Sequence, residues 1–156
     1  MPFKMVILHP SVLPGVEQQG TVRIDIYESQ ELFLALRRHK PLKIVIAATA
    51  ASGISFQFLK DRDQNFFHEL RIYGQTVEEM IHTIILDNPD VPLQDILYVD
   101  KRIPGVQAAK RTGVVSCLMN PLGAPRINLG GKPVATWNVY SLLELPLVVG
   151  AQQPAY

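Results

Sequence analysis

The sequence has little net charge, one cysteine and no long apolar run, and each of these absences excludes a class of protein. Fifteen Lys and Arg residues against 14 Asp and Glu give a formal charge of +1, so the chain lacks the positive field that nucleic-acid binding requires. Cys117 is the only cysteine, which excludes a disulfide framework and a cysteine-based metal site. Apolar runs such as residues 44–48 fall far short of the roughly 20 residues that span a bilayer. We expect a soluble protein of the cytoplasm or another reducing intracellular compartment, with no nucleic-acid or membrane partner.

The chain is long enough and apolar enough for one hydrophobic core. It has 156 residues, of which 47% are hydrophobic and 19% are charged, as is typical of a folded domain rather than a disordered segment. We expect one domain over residues 1–149 and a flexible tail over 150–156. Cys117 lies in an apolar run, and we expect it to be buried as packing.

Strand-like and helix-like segments alternate along the chain. Apolar runs predict strands at residues 4–8, 42–48, 95–99 and 114–118, with shorter strands at 67–73 and 136–139. Helical spacing predicts helices at 28–39, 54–60, 76–86, 104–111 and 141–145. Residues 10–22 and 119–133 are rich in Gly and Pro and are predicted to be loops. This alternation predicts a doubly wound, three-layer α/β fold with a parallel sheet.

Polar residues follow three of the predicted strands. The strand ends carry His9-Pro10-Ser11, Thr49-Ala50 and Asp100-Lys101. Ligands of open α/β sheets bind beyond the carboxyl ends of the strands. The topology therefore predicts that these three tips converge on one candidate site.

Four segments resemble motifs of the haloacid-dehalogenase-like (HAD) superfamily. Residues 95–114, DILYVDKRIPGVQAAKRTGV, closely resemble its fourth motif, and LKIVIAATAASG at 42–53 resembles its second. KMVILHPSVL at 4–13 occupies the place of the first motif, and VATWNVYSLLELP at 134–146 resembles the usual close of the domain. The resemblance implies a Rossmann-like single domain without a cap, similar to the magnesium-dependent phosphatase branch.

The first motif lacks the acidic residues that the resemblance implies. In the superfamily one Asp is the covalent nucleophile and a second, two residues later, is the general acid and base. Here those two positions are His9 and Ser11, and no register supplies an Asp or Glu, because the nearest acidic residue is Glu17. His9 as a substitute nucleophile and Ser11 as a hydroxyl nucleophile stay open beside purely structural roles.

The second and third motifs match in part. Thr49 matches the phosphate-binding hydroxyl, and the small residues Ala50 and Ser52 could present backbone amides to a phosphate-like anion. Thr49 and Ser52 could equally serve only as helix caps. The lysine of the third motif is replaced by Gln75 or Thr76.

The fourth motif keeps one of its acidic residues. Asp100 matches a magnesium ligand, but Lys101 stands where a second Asp often follows. Mg²⁺ is usually held by one or two carboxylates together with substrate phosphate and waters. Asp100 is therefore either a weak metal ligand or part of a structural ion pair with Lys101, Arg102 or Lys4.

The four coordinated departures favour a non-catalytic HAD-like domain, a pseudo-phosphatase that serves as an interaction, scaffold or regulatory module. The alternative is an active capless phosphohydrolase with rearranged chemistry, which would use Asp100 with His9 or Ser11 and would need Mg²⁺. We expect no cofactor for the first function. The open strand tips of a capless fold imply a protein partner or a homo-oligomer.

Overall fold

A computed structural model describes residues 3–13, 15–18, 21–24, 30–38, 42–50, 55–58, 67–119 and 135–150. The strands are β1 Met5–Leu8, β2 Gly15–Gln18, β3 Thr21–Ile24, β4 Lys43–Ala48, β5 Ser55–Phe58, β6 Glu69–Ile72, β7 Ile96–Asp100, β8 Val115–Met119 and β9 Trp137–Val139. The helices are α1 Gln30–Arg37, α2 Val77–Asp87, α3 Ile103–Thr112 and α4 Leu145–Gly150.

Six of these strands form one parallel sheet. Their order is β6-β4-β1-β7-β8-β9, and each neighbouring pair is parallel. A smaller sheet has the order β2-β3-β5, with β2 antiparallel and β5 parallel to β3. The central position of β1, between β4 and β7, brings the ends of these three strands side by side.

Helices cover both faces of the six-stranded sheet, because alternate strand residues point to opposite faces. Val6 and Leu8 of β1 pack in the cluster that includes α1 and α4. Met5 and Ile7 pack in the cluster that includes α2 and α3. The predicted three-layer, doubly wound α/β fold is confirmed.

The predicted loop at residues 10–22 is wrong. Residues 10–12 form a 3-10 turn, and residues 15–18 and 21–24 are the antiparallel strands β2 and β3. The Gly and Pro residues favoured a loop, although the β-branched composition of residues 21–24 indicates a strand. Residues 15–18 contain only one β-branched residue, Val16, so the first strand of the hairpin had a weaker signal than the second.

The predicted helix at residues 54–60 is also wrong. Ser55–Phe58 is the strand β5. Its sequence alternates polar Ser55 and Gln57 with aromatic Phe56 and Phe58, and a period of two residues indicates a strand.

The last predicted helix begins later than expected. The 3-10 turn Leu142–Glu144 precedes α4, and α4 runs through Pro146 instead of ending before it. Pro146 lies in the first turn of α4, where a missing N–H breaks no helical hydrogen bond.

The other predicted strands and helices are confirmed within a few residues. Most of the predicted loop at 119–133 and of the tail at 150–156 lies outside the described residues, so the domain boundary stays a prediction. In the described part of the chain, no helix is long and apolar enough to cross a membrane.

Candidate functional site

The ends of β1 and β7 meet at one edge of the sheet, as expected for adjacent parallel strands. The backbone N–H of His9 donates to the carbonyl of Val99 at 3.0 Å. The Ser11 hydroxyl lies 3.2 Å from Oδ1 of Asp100, which is 89 positions away in the sequence. The tertiary structure thus joins the first-motif and fourth-motif residues.

Asp100 and Arg102 form a two-point ion pair at this edge. Nε of Arg102 donates to Oδ1 at 3.1 Å, and Nη2 donates to Oδ2 at 2.9 Å. The backbone N–H of Arg102 adds a third bond to Oδ1 at 2.9 Å. Asp100 is fully buried, whereas the Arg102 side chain is 47% exposed. Of the ion-pair partners proposed for Asp100, the structure selects Arg102; Lys101 is exposed and Lys4 pairs with Asp95 at 3.8 Å.

Two further donors complete the hydrogen bonding of the Asp100 carboxylate. The Tyr98 hydroxyl donates to Oδ2 at 2.6 Å inside the core, and the Ser11 hydroxyl reaches Oδ1. A carboxylate has about four lone-pair positions, and here five donors converge on it. Its acceptor capacity is therefore used within the protein.

Gly105 makes room for this ion pair. A Cβ atom at position 105 would lie 2.1 Å from Oδ2 of Asp100 and 3.3 Å from Nη2 of Arg102. Gly105 is buried in the first turn of α3. The helix can approach the carboxylate only because this residue has no side chain.

His9 and Ser11 form a local pair at the start of the turn after β1. Nδ1 of His9 accepts the Ser11 backbone N–H at 3.1 Å, so this nitrogen is the unprotonated one. The Ser11 hydroxyl lies 2.9 Å from the same nitrogen. The single proton of the Ser11 hydroxyl therefore has two acceptors within reach, Nδ1 of His9 and Oδ1 of Asp100.

Burial and charge shift the pKa values of the site. Burial lowers the pKa of His9 from 6.5 to about 4, although the nearby Asp100 opposes this shift. Burial alone would raise the pKa of Asp100, but hydrogen bonds and charge, chiefly from Arg102, lower it below its ordinary value. Burial, together with the Asp100 charge, raises the pKa of Tyr98 well above its ordinary value. At neutral pH the site holds an uncharged imidazole and a paired carboxylate.

The predicted anion-binding residues are placed as follows. Thr49 is half-buried immediately after β4, and Ser52 lies outside the described residues. The Ala50 backbone N–H donates to the carbonyl of Gly74 at 2.9 Å. Because this amide already has an acceptor, it does not face an anion.

The third-motif position lies at the start of α2. Thr76 caps the helix by accepting the Glu79 N–H at 3.2 Å, and Glu79 accepts the Gln75 N–H at 2.9 Å. Thr76 and Glu79 therefore form a capping box whose second bond is displaced by one residue. The side chain of Gln75 carries no charge that could replace the lysine of the motif.

The residues present do not fit a magnesium ion. Asp100 is bonded to five donors, and its neighbours Lys101 and Arg102 are both cations. Across the described ranges, no group of three or more His, Cys, Asp or Glu residues is arranged to hold a metal. The guanidinium of Arg102 lies against both carboxylate oxygens and already neutralises their charge.

Sequence reasoning missed two contributors to the site, Tyr98 and Gly105. Tyr98 precedes Asp100 by two residues in a strand and so shares its face, a signal that the sequence already carried. The close approach at Gly105 depends on the packing of α3 and had no signal in the sequence. Cys117 is buried, as predicted, and burial raises its pKa to about 12.

Comparison of the sequence matches no family model and no curated protein. Comparison of the structure finds D,D-heptose 1,7-bisphosphate phosphatase from B. bronchiseptica, in complex with magnesium and phosphate, at a TM-score of 0.63 and 17% identity. That match covers 93% of this chain and 97% of the phosphatase.

Dehalogenases match as well, over part of their length. The 2-haloacid dehalogenase of Pseudomonas syringae pv. Tomato aligns at a TM-score of 0.55 and 14% identity, over 81% of this chain and 53% of that protein. A dehalogenase in an intermediate complex aligns at a TM-score of 0.61 and 15% identity, over 85% of this chain and 59% of that protein. The chain therefore spans between half and three fifths of the length of these enzymes.

The strand order, the two helical layers and these structural matches agree with the resemblance that the sequence motifs indicate. The chain has the fold of the haloacid-dehalogenase-like superfamily.

Proposed function

We propose that this chain is a HAD-like domain that performs no phosphoryl transfer at its strand tips and acts as a binding module. The observation that carries this proposal is the saturation of the Asp100 carboxylate by Arg102, Tyr98 and Ser11. A carboxylate that accepts five donors inside the protein has no lone pair to offer to a metal ion.

Electrostatics support the same conclusion. A divalent cation that approached Asp100 would meet the guanidinium of Arg102, and two like charges at 4 Å repel by about 4 kcal/mol per unit charge at an effective dielectric constant near 20. Asp100 is buried, and a buried charge without its partner is costly, so Arg102 does not leave readily. The chain provides its own cation in place of a metal.

The alternative function is hydrolysis with Ser11 as the nucleophile and His9 as its base. The 2.9 Å contact between the Ser11 hydroxyl and Nδ1 of His9 has the distance that such a pair needs. A pKa of about 4 makes His9 a weak base at neutral pH, because general bases work best when their pKa lies near the operating pH. Burial of His9, which lowers its pKa, therefore favours a structural role for the pair.

The binding role is supported by exposed apolar side chains away from the strand tips. These include Leu34 on α1, Leu143 and Leu147 around α4, and Leu70 and Ile72 on β6. Leu70 and Ile72 lie on the same side of β6, and neighbouring exposed apolar side chains mark interaction surfaces more often than single ones do. We expect the partner to be a protein, either a different chain or a second copy of this one.

The test is hydrolysis of p-nitrophenyl phosphate by the purified chain with millimolar Mg²⁺, alongside calorimetric titration with Mg²⁺. We expect no turnover above the buffer rate and no saturable heat. The matched variants are Asp100→Asn and Glu78→Gln, which remove one carboxylate at the site and one on the exposed surface, with circular dichroism to confirm folding.

Turnover that Asp100→Asn abolishes and Glu78→Gln preserves would refute the proposal. Turnover that Ser11→Ala abolishes, without any need for Mg²⁺, would establish the serine alternative instead.

A further inference from the structure

The outer strand β6 has one apolar side and one charged side. Leu70 lies beside Ile46 of β4, and Ile72 lies beside Ala48, so both side chains point to the α1 face of the sheet. They are 40% and 46% exposed, and the following Tyr73 is 54% exposed. Among the described residues, no strand pairs with the outer side of β6.

The charged side of β6 carries one residue of each sign. Glu69 lies 3.3 Å from Nζ of Lys43, and Arg71 contacts both Glu69 and Asp87. These ion pairs hold the two side chains in place beside the strand edge. Edge strands commonly use charge to prevent pairing with other chains, but opposite charges two residues apart are complementary to an inverted copy of themselves.

The backbone of β6 can pair on its outer side at Leu70. The Tyr73 N–H, directly after β6, donates to the carbonyl of Ala48 on β4 at 3.0 Å. Because successive backbone groups of a strand alternate in direction, those of Glu69 and Arg71 also point towards β4, and those of Leu70 and Ile72 point away from it. An antiparallel neighbour centred on Leu70 would therefore form a hydrogen-bonded pair at position 70 and non-hydrogen-bonded pairs between positions 69 and 71.

We propose that two copies of the chain associate through β6, antiparallel about a two-fold axis at Leu70. In this register Glu69 of each copy lies opposite Arg71 of the other, and the two Leu70 side chains meet at the axis. A parallel pairing in register would place Glu69 opposite Glu69 and is disfavoured by like charge. The pairing would join the two six-stranded sheets into one continuous sheet, with an isologous interface.

The inference names the partner for the binding role proposed above and rests on that role alone. The β6 edge is separate from the Asp100 site, so the oligomeric state and phosphatase activity are measured independently. A dimer with phosphatase activity would overturn the proposed function and leave this inference intact. A monomer without phosphatase activity would overturn this inference and leave the absence of phosphoryl transfer intact.

The experiment uses Glu69→Arg and Arg71→Glu in the full chain, with sedimentation velocity over a wide concentration range. Each variant places like charges opposite one another, and we expect its dimer dissociation constant to rise at least about tenfold. An equimolar mixture of the two variants brings opposite charges together again, and we expect a heterodimer of nearly the original affinity. The matched controls are Glu78→Arg and Arg111→Glu, which alter the exposed α2–α3 ion pair by the same charge and should not affect association.

Both variants also disturb ion pairs within the chain, so a third variant tests the axis alone. Leu70→Lys places two cations opposite each other at a position with no ion pair, and we expect it to give a monomer. Leu147→Lys, at an exposed leucine of α4, is its control and should leave the dimer unchanged. A wild-type chain that is monomeric at all concentrations, a dimer that is insensitive to Leu70→Lys, or a variant mixture that fails to associate would overturn the inference.

Discussion

The guanidinium of Arg102 contacts both carboxylate oxygens of Asp100, two residues before it in the sequence, at 3.1 and 2.9 Å. Such two-point contacts are the strongest and most specific that arginine makes with a carboxylate. Asp100 has the position of a magnesium ligand in the motif that the sequence resembles, yet its charge is neutralised by a side chain of its own loop. On this relationship we base the proposal that the chain shares the fold of its structural relatives without phosphoryl transfer.

Arg102→Ala should lower the free energy of unfolding by about 2–3 kcal/mol, since it leaves a buried carboxylate with fewer donors. The lower end of that range applies if water reaches the half-exposed position. Arg111→Ala is the matched control, because its ion pair with Glu78 is exposed and such pairs contribute less than about 1 kcal/mol. Urea denaturation at pH 7 measures both. Equal losses for the two variants would show that the Asp100–Arg102 pair has no special role in stability.

Gly105→Ala should destabilise the fold by at least about 2 kcal/mol, because the new methyl group would overlap Oδ2 of Asp100. The cause can be isolated in a double-mutant cycle with Asp100→Ala, which removes both carboxylate atoms that the methyl group would meet. We expect the cost of Gly105→Ala to fall by more than half in the Asp100→Ala background. An unchanged cost would place the strain elsewhere in α3.

Stability should decline in acid partly through His9. Its pKa is about 4 in the folded chain and near 6.5 when exposed, so the unfolded state binds the additional proton. The contribution is therefore fully present above pH 6.5 and is lost as the pH falls from 6.5 towards 4, by up to about 3 kcal/mol. His9→Asn keeps a local acceptor but does not titrate. Urea denaturation between pH 7 and 4.5 should give a shallower slope for this variant, and two parallel curves would contradict the prediction.

The sequence predicted the positions of some site residues but not their hydrogen-bond partners. His9, Ser11 and Asp100 follow hydrophobic runs, and parallel strands bring such positions to one edge, so their proximity could be expected. Thr49 could be assigned to the same edge in this way. The acceptor of the Ala50 N–H, the carbonyl of Gly74, could not be predicted, because it belongs to another strand connection.

The errors in the fold prediction lie in the smaller sheet. Its strands β2, β3 and β5 fall in segments where Gly, Pro or short apolar runs suggested loop or helix. The strand β5 pairs with β3, which is distant in the sequence, and local propensity is a weak guide to such pairing. The hairpin of β2 and β3 is local, but the Gly and Pro residues around it favoured a loop. The helices α1, α2 and α3 were predicted well, because their hydrogen bonds and periodicity are local.

The sequence by itself determined the alternation of strands and helices, the identity of the strand-end residues and the absence of an acidic pair after β1. These are properties of composition and spacing, and they need no coordinates. Only the tertiary structure decided that Arg102 takes both oxygens of Asp100, that Tyr98 and Ser11 complete its hydrogen bonds, and that Gly105 makes room for the pair. Those outcomes depend on side-chain direction and on contacts within a fraction of an ångström, which no residue pattern specifies.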